Sequence, residues 1–200
     1  MIIGPKYKIA RRLNAPVFEK TQTGKFAASK EKKNVKFARP KSAYGAQLTE
    51  KQKARMVYGV SERQFKNYVR AILDMKGANS QEKLYQALES RLDNVVCRSG
   101  FARSHREARQ LVSHGHINVN GTRVSVPSFA LKVKDVVSAR KGRESKGALS
   151  TFDERFKDMT LPGWLSYDKE SRAISVVGLP TQGVSELLFD LAAIIEFYRR

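Results

Sequence analysis

The chain has 200 residues, with 38 Lys and Arg against 19 Asp and Glu, a formal net charge of +19. So large an excess repels itself unless a polyanion supplies counter-charge, while 41% hydrophobic content excludes a wholly disordered basic tail. One cysteine, Cys97, excludes an internal disulfide and a cysteine-rich zinc site; no apolar run approaches the roughly 20 residues of a membrane span, and no apolar stretch of signal-peptide length follows Met1.

The charge lies in blocks: residues 1–41 carry net +10, 42–90 net +3, 91–150 net +8 and 151–200 net −2. One basic face for nucleic acid and a second surface for protein follow from that division. Residues 1–43 show no helical or strand period and are punctuated by Gly4, Pro5, Pro16, Gly24 and Pro40, with Lys30, Lys32, Lys33 and Lys36 clustered. They read as a basic extended arm that orders on its partner.

Thr49 with Gln52 is a capping-box spacing, and Gly59 follows as a stop. Ser61 with Gln64 opens a second helix, which Gly77 closes. Phe65, Val69 and Ile72 share one face of it, while Arg63, Lys66 and Arg70 form a basic stripe at spacings of three and four. Ser80 opens a third helix with Leu84, Leu88, Leu92 and Val95 or Val96 as its apolar stripe and a break near residues 90–93.

Ser104 with Glu107 is a further capping box. The helix it opens turns Ala108, Leu111 and Val112 inward and ends at Gly115. Asn120-Gly121 between two alternating runs is a hairpin signal, with Ile117, Val119, Val124 and Val126 on one side. Strands are expected at 135–140 and 173–177, and a buried apolar helix over 187–198 carrying Leu188, Leu191, Ile194 and Ile195. Helices first, then helix with antiparallel strands, is an α+β pattern.

Residues 91–141 concentrate the chemistry. Arg98, Arg103, Arg106 and Arg109 fall within twelve residues, all three histidines (His105, His114, His116) lie in the same stretch, and Gln110, Asn118 and Asn120 add amides. Guanidinium groups grip phosphate and stack on bases, and the helix start at Ser104 turns backbone N–H groups toward a phosphate. Two short helices with a hairpin suit RNA shape better than a base code. The histidines match no zinc spacing and stand among cations, so no metal or cofactor is expected. Cys97 lies on an apolar stripe beside Val95 and Val96 and reads as a structural thiol.

The residues resemble a known family, bacterial-type small-subunit ribosomal protein S-four, the namesake of the S-four RNA-binding domain. The resemblance rests on Gly4-Pro5-Lys6 through Arg11-Arg12-Leu13, and on Tyr44-Gly45-Ala46-Gln47-Leu48. It continues through Glu50-Lys51-Gln52-Lys53, Tyr58-Gly59-Val60 to Gln64-Phe65, and Arg91-Leu92-Asp93-Asn94-Val95-Val96. Ala108-Arg109-Gln110-Leu111-Val112-Ser113-His114-Gly115, Val119-Asn120-Gly121, Pro162 to Leu165 with Trp164, and Glu196-Phe197-Tyr198 complete it in order over nearly the whole chain. The amino-terminal cysteine set that binds zinc in many members, and their Pro-Gly-Gln-His-Gly stretch, are both missing here.

The resemblance implies a basic arm over 1–43, a helical domain over 44–90 completed by a terminal helix over 184–200, and an α/β RNA-binding domain with antiparallel strands over 91–183. It implies a primary binder of small-subunit ribosomal RNA that nucleates assembly of the subunit body in the cytoplasm. Its partners would be neighbouring small-subunit ribosomal proteins three and five and, where messenger RNA enters, the messenger itself, with an effect on decoding accuracy. The RNA-binding candidates in the arm are Lys6, Lys8, Arg11 and Arg12. In the helical domain they are Tyr44, Lys51, Lys53, Arg55, Arg63, Lys66 and Arg70. In the RNA-binding domain they are Arg98, Arg103, Ser104, His105, Arg106, Arg109, Gln110, His114, His116 and Asn118. Arg39 and Lys41 are the candidates for messenger contact.

Two rivals carry the same RNA-binding module. Some pseudouridine synthases place a catalytic aspartate after an Arg-Leu pair, which Arg91-Leu92-Asp93 mimics. They need a large catalytic domain that the residues after the module are too few to form, so Asp93 is expected to be structural and the chain not an enzyme. A stress protein binding stalled large subunits would lack the helical segment and the arm.

Overall fold

A computed structural model describes residues 3–24, 26, 42–75, 79–140, 142, 152, 156, 160–181 and 187–199. Among them are seven α-helices: α1 (Lys6–Leu13), α2 (Ala43–Val57), α3 (Glu62–Asp74), α4 (Ser80–Glu89), α5 (Leu92–Arg98), α6 (His105–Ser113) and α7 (Leu191–Arg199). A 3-10 turn covers Glu19–Thr21, and the strands are β1 (Ile117–Val119), β2 (Thr122–Arg123), β3 (Val136–Ala139), β4 (Leu165–Asp168) and β5 (Ala173–Val176). The fold class is α+β. The chain divides into two compact units, residues 1–84 with 182–200, and residues 85–181.

The first unit begins with a helix where the sequence reading expects an extended arm. The Pro5 carbonyl accepts from the N–H groups of Lys8 and Ile9, and Asn14 ends α1 in the left-handed region, which Asn tolerates. Ala10 and Leu13 turn inward and join Ala15, Val17, Phe18 and Phe26 in a small core. The Thr21 hydroxyl donates to the Phe18 carbonyl at 2.7 Å, fixing the turn after it. Two turns of helix carry too few apolar residues for a period to stand out among their cations. Lys30, Lys32, Lys33, Lys36 and Pro40 lie outside the described residues.

The next helix starts earlier than its sequence signal. Ser42 caps α2 by accepting from the Gly45 N–H, and Thr49 sits inside the helix, donating its hydroxyl to the Gly45 carbonyl at 2.8 Å. A threonine inside a helix can make this bond to the carbonyl four residues back. Gly59, at φ +60°, closes the turn after α2. Ser61 caps α3 as its spacing with Gln64 predicts, and the helix ends at Asp74; Gly77 lies outside the described residues. Asn79 caps α4, accepting from the Glu82 N–H, one residue before the Ser80 start that the sequence pattern predicts. α7 packs on α2 and α3, burying Leu191, Ile194 and Ile195. Leu188 precedes that helix and is exposed, because Asp190 caps the new helix start through the Ala192 N–H.

The second unit packs α5 and α6 together over an antiparallel sheet in the order β2-β1-β3-β5-β4. Leu92, Val95, Val96, Ala108, Val112, Ile117, Val137 and Ile174 form its core. The expected break after α4 falls at Ser90–Arg91, and Leu92 opens a separate α5. Asn120 and Gly121 make the hairpin with φ of 51° and 78°, pairing Val119 with Thr122. Val124 still packs against the core, but β2 ends at Arg123 and Val126 leaves the sheet exposed. Pro127 follows it and has no N–H to continue a ladder. Strand β4 had no sequence forecast: Leu165 and Tyr167 alternate inward for only four residues, too short a run to read.

Candidate nucleic-acid interface

The turn between α5 and α6 passes through Gly100 at φ +80°. Ser104 then caps α6 through the Glu107 N–H at 3.3 Å, and the Glu107 carboxylate reaches back to the Arg103 N–H at 2.6 Å. Because Ala108, Leu111 and Val112 are drawn into the core, Arg103, Arg106 and Gln110 stand exposed at spacings of three and four, with exposed His114 just beyond. Ser104 itself is half-buried.

Beneath this row the cations are held by two buried carboxylates. Asp93 is 1% exposed and Arg91 2%, and Arg91 donates from Nε at 3.0 Å to Oδ1 and from Nη2 at 2.8 Å to Oδ2. Arg109 donates to the same Oδ2 from Nε at 3.0 Å and from Nη2 at 2.6 Å. Glu89, also buried, accepts from Arg98 at 2.8 Å and from the Asn94 amide at 2.7 Å. The Asn94 carbonyl oxygen lies 3.0 Å from His105 Nε2, so that nitrogen carries the proton in this arrangement. Cys97 Sγ stands 3.7 Å from the other ring nitrogen.

Arg98, His105 and Arg109 therefore stand in an internal network, while Arg103 and Arg106 face solvent. Asp93 has the structural role expected of it. The sequence reading missed the partners Glu89 and Arg91, whose burial no local pattern signals. It also missed Arg123, which donates to the His114 carbonyl at 3.4 Å. The His114 and His116 rings meet edge-on with centroids 5.9 Å apart. Asn118, half-buried on β1, has its carbonyl oxygen buried without a partner among the described residues.

In the first unit, three candidates are taken up internally. Lys51 is 6% exposed, donates to Glu62 at 2.7 Å and lies 4.6 Å over the Phe197 ring. Arg55 holds the other Glu62 oxygen at 2.8 Å, and Lys53 pairs with Glu50 at 2.7 Å. Tyr198 donates to Glu62 at 3.1 Å. Burial opposes ionisation of Glu62, but the hydrogen bond and charge of Lys51, with Tyr198 and Arg55, outweigh it and hold the carboxyl below its usual range. Burial and the Glu62 charge push the Tyr198 hydroxyl well up.

Lys8, Arg11, Arg12, Arg63, Lys66 and Arg70 are exposed. Lys6 lies 5.5 Å over the Phe18 ring, and the Tyr44 ring sits 5.4 Å from that of Phe197. Arg39 and Lys41 lie outside the described residues.

A capped helix presenting arginines beside a small antiparallel sheet, on a chain of net charge +19, defines an RNA-binding class of protein. The family model for the S4 domain matches residues 90–137, and that for the ribosomal protein S4/S9 N-terminal domain matches residues 1–89. The chain is 38% identical over 200 residues to the small ribosomal subunit protein uS4 of Amoebophilus asiaticus, covering 99% of this chain and 98% of that one. It is 45% identical over 159 residues to the uS4 protein of Acetivibrio thermocellus, with 80% and 76% covered. Against the uS4 protein of Pseudothermotoga lettingae it is 43% identical over 160 residues, with the same coverage. The chain belongs to the uS4 family of small-subunit ribosomal proteins. Among the described residues no helix is long and apolar enough to cross a membrane.

Proposed function

We propose that the chain is a structural constituent of the small ribosomal subunit in the cytoplasm, binding small-subunit ribosomal RNA directly and nucleating assembly of the subunit body. The exposed row of Arg103, just before the cap, with Arg106 and Gln110 on α6 carries this reading: guanidinium groups hold phosphates, and the helix start adds N–H dipoles. The proposal divides the work among an arm over 1–43, a helical domain over 44–90 with 184–200, and an RNA-binding domain over 91–183. Neighbouring small-subunit ribosomal proteins three and five are its proposed protein partners.

The chain acts by binding and has no reaction of its own. Asp93, the one carboxylate at the position a synthase would use, is buried and already engaged by two guanidinium groups, which supports this reading. Arg39 and Lys41 are proposed to hold messenger RNA where it enters, with an effect on decoding accuracy. Changing both to Ala would slow translation of structured messengers and spare unstructured ones; equal slowing of both would remove that role.

The primary test is binding of the full chain to a fragment of the 5′ domain of small-subunit ribosomal RNA across a salt series. Each phosphate contact releases counterions, so log affinity falls with log salt by up to about 0.9 per contact. A flat salt response sinks the electrostatic reading.

A further inference from the structure

Helix α1 carries Lys6, Lys8, Arg11 and Arg12 and has no acidic residue. Ala10 and Leu13 form its inward side, buried in the small core of the first unit. With about 3.6 residues per turn, the opposite side presents Tyr7, Arg11, Lys8 and Arg12 in that order, across about 140° of the helix circumference. All four are exposed. The cations alone would make an electrostatic surface, which has no use for an aromatic ring, yet Tyr7 stands among them 48% exposed.

The Tyr7 ring is also held in place. Phe26, buried at 7% exposure, lies against it with centroids 6.2 Å apart and planes inclined at 42°. A ring anchored by a buried neighbour gives up little freedom when a second flat group lies on its open part.

Resting on the reading that the chain binds RNA, we infer that Tyr7 is a stacking platform for one unpaired base of the bound RNA, with the adjoining phosphates on Lys8, Arg11 and Arg12. Every base has a flat π face and every nucleotide a phosphate, so an anchored aromatic among cations matches a single-stranded segment. Duplex RNA keeps its base faces stacked inside the helix and would use only the cations. An anionic membrane would need an apolar helix face to insert, and that face of α1 is already buried in protein.

The test measures affinity of the full chain for a 5′-domain fragment of small-subunit ribosomal RNA across a salt series. Tyr7→Phe keeps the ring and binds as the wild type does. Tyr7→Leu keeps an apolar side chain without a ring and binds about 10-fold more weakly, within the range of one base-stacking contact, with the salt slope unchanged. Lys8→Gln instead lowers the slope of log affinity against log salt by about 0.7, the value for one phosphate of a single strand. Tyr7→Trp reads stacking directly and does not depend on how α1 tolerates leucine. The chain has one native tryptophan, Trp164, and the fluorescence added above it is quenched when RNA binds. The inference is overturned if Tyr7→Leu binds with wild-type affinity, if Tyr7→Phe loses as much as Tyr7→Leu, or if the added tryptophan is not quenched. It is also overturned, in favour of a protein partner, if Tyr7→Leu spares RNA affinity but blocks a neighbouring protein from joining the subunit. Failure of the wild-type chain to bind any ribosomal RNA is a separate result, which removes the RNA reading and this inference with it.

Discussion

Arg109 on α6 donates two hydrogen bonds to one oxygen of Asp93 on α5, at 3.0 and 2.6 Å. Asp93 is buried, and Arg91 donates to both oxygens of the same carboxylate. One acid thus holds two guanidinium groups and pins α5 to α6. This changes the meaning of a cation row read from sequence: Arg109 is bound to Asp93 beneath the row, and Arg106 faces solvent.

Asp93→Ala leaves the 2%-exposed Arg91 guanidinium without its carboxylate. Breaking a buried pair by removing one partner costs about 3–5 kcal/mol. Denaturant unfolding of the variant is expected to show that loss. An unchanged midpoint would mean that Arg91 finds another acceptor.

Arg106→Ala and Arg109→Ala are expected to separate. The first weakens RNA binding and lowers the slope of log affinity against log salt by up to about 0.9, with no change in melting temperature. The second lowers the melting temperature, because it strips a hydrogen-bonding partner from buried Asp93. Equal behaviour of the two variants would remove the distinction between presenting and supporting arginines.

Leu111→Ala, in the core face of α6, is expected to destabilise the second unit by about 2–5 kcal/mol through lost burial and the cavity left behind. Circular dichroism during urea unfolding measures it. A loss under 1 kcal/mol would show that the core collapses around the gap.

Acid is expected to weaken the first unit through Glu62. Its carboxyl is held below the usual range in the folded chain, so its contribution is complete above the ordinary glutamate value and lost as pH falls from there through the lowered folded value. Glu62→Gln should flatten the dependence of stability on pH in that window. The side chain is 42% exposed, so the effect is modest and shrinks further in salt. A variant whose acid profile matches the wild type would assign the acid sensitivity to other carboxylates.

Gly115→Ala is expected to cost about 1 kcal/mol or more, because Gly115 has φ +69° and an added Cβ would collide with the Arg123 guanidinium. The Arg123 side chain can swing away, but the backbone strain stays. A melting temperature equal to that of the wild type would contradict it.

Local signals settled much of this protein before any tertiary contact formed. Ser61 and Ser104 cap their helices where a hydroxyl precedes an apolar stripe, and Asn120-Gly121 turns a hairpin because both residues accept positive φ. The family, too, was legible, since its motifs run in order along the chain. Sequence spacing did not find the start of α2, which Ser42 caps while Thr49 lies inside the helix. Nor could spacing separate presenting cations from supporting ones. Lys51, Arg55, Arg98 and Arg109 have the same charge and similar neighbours in sequence as Arg63 and Arg106. Their fate depends on Glu62, Glu89 and Asp93, acids up to sixteen residues distant from the cation they hold. A long, flexible side chain reaches whichever carboxylate the fold brings near, and that proximity exists only once the helices have packed.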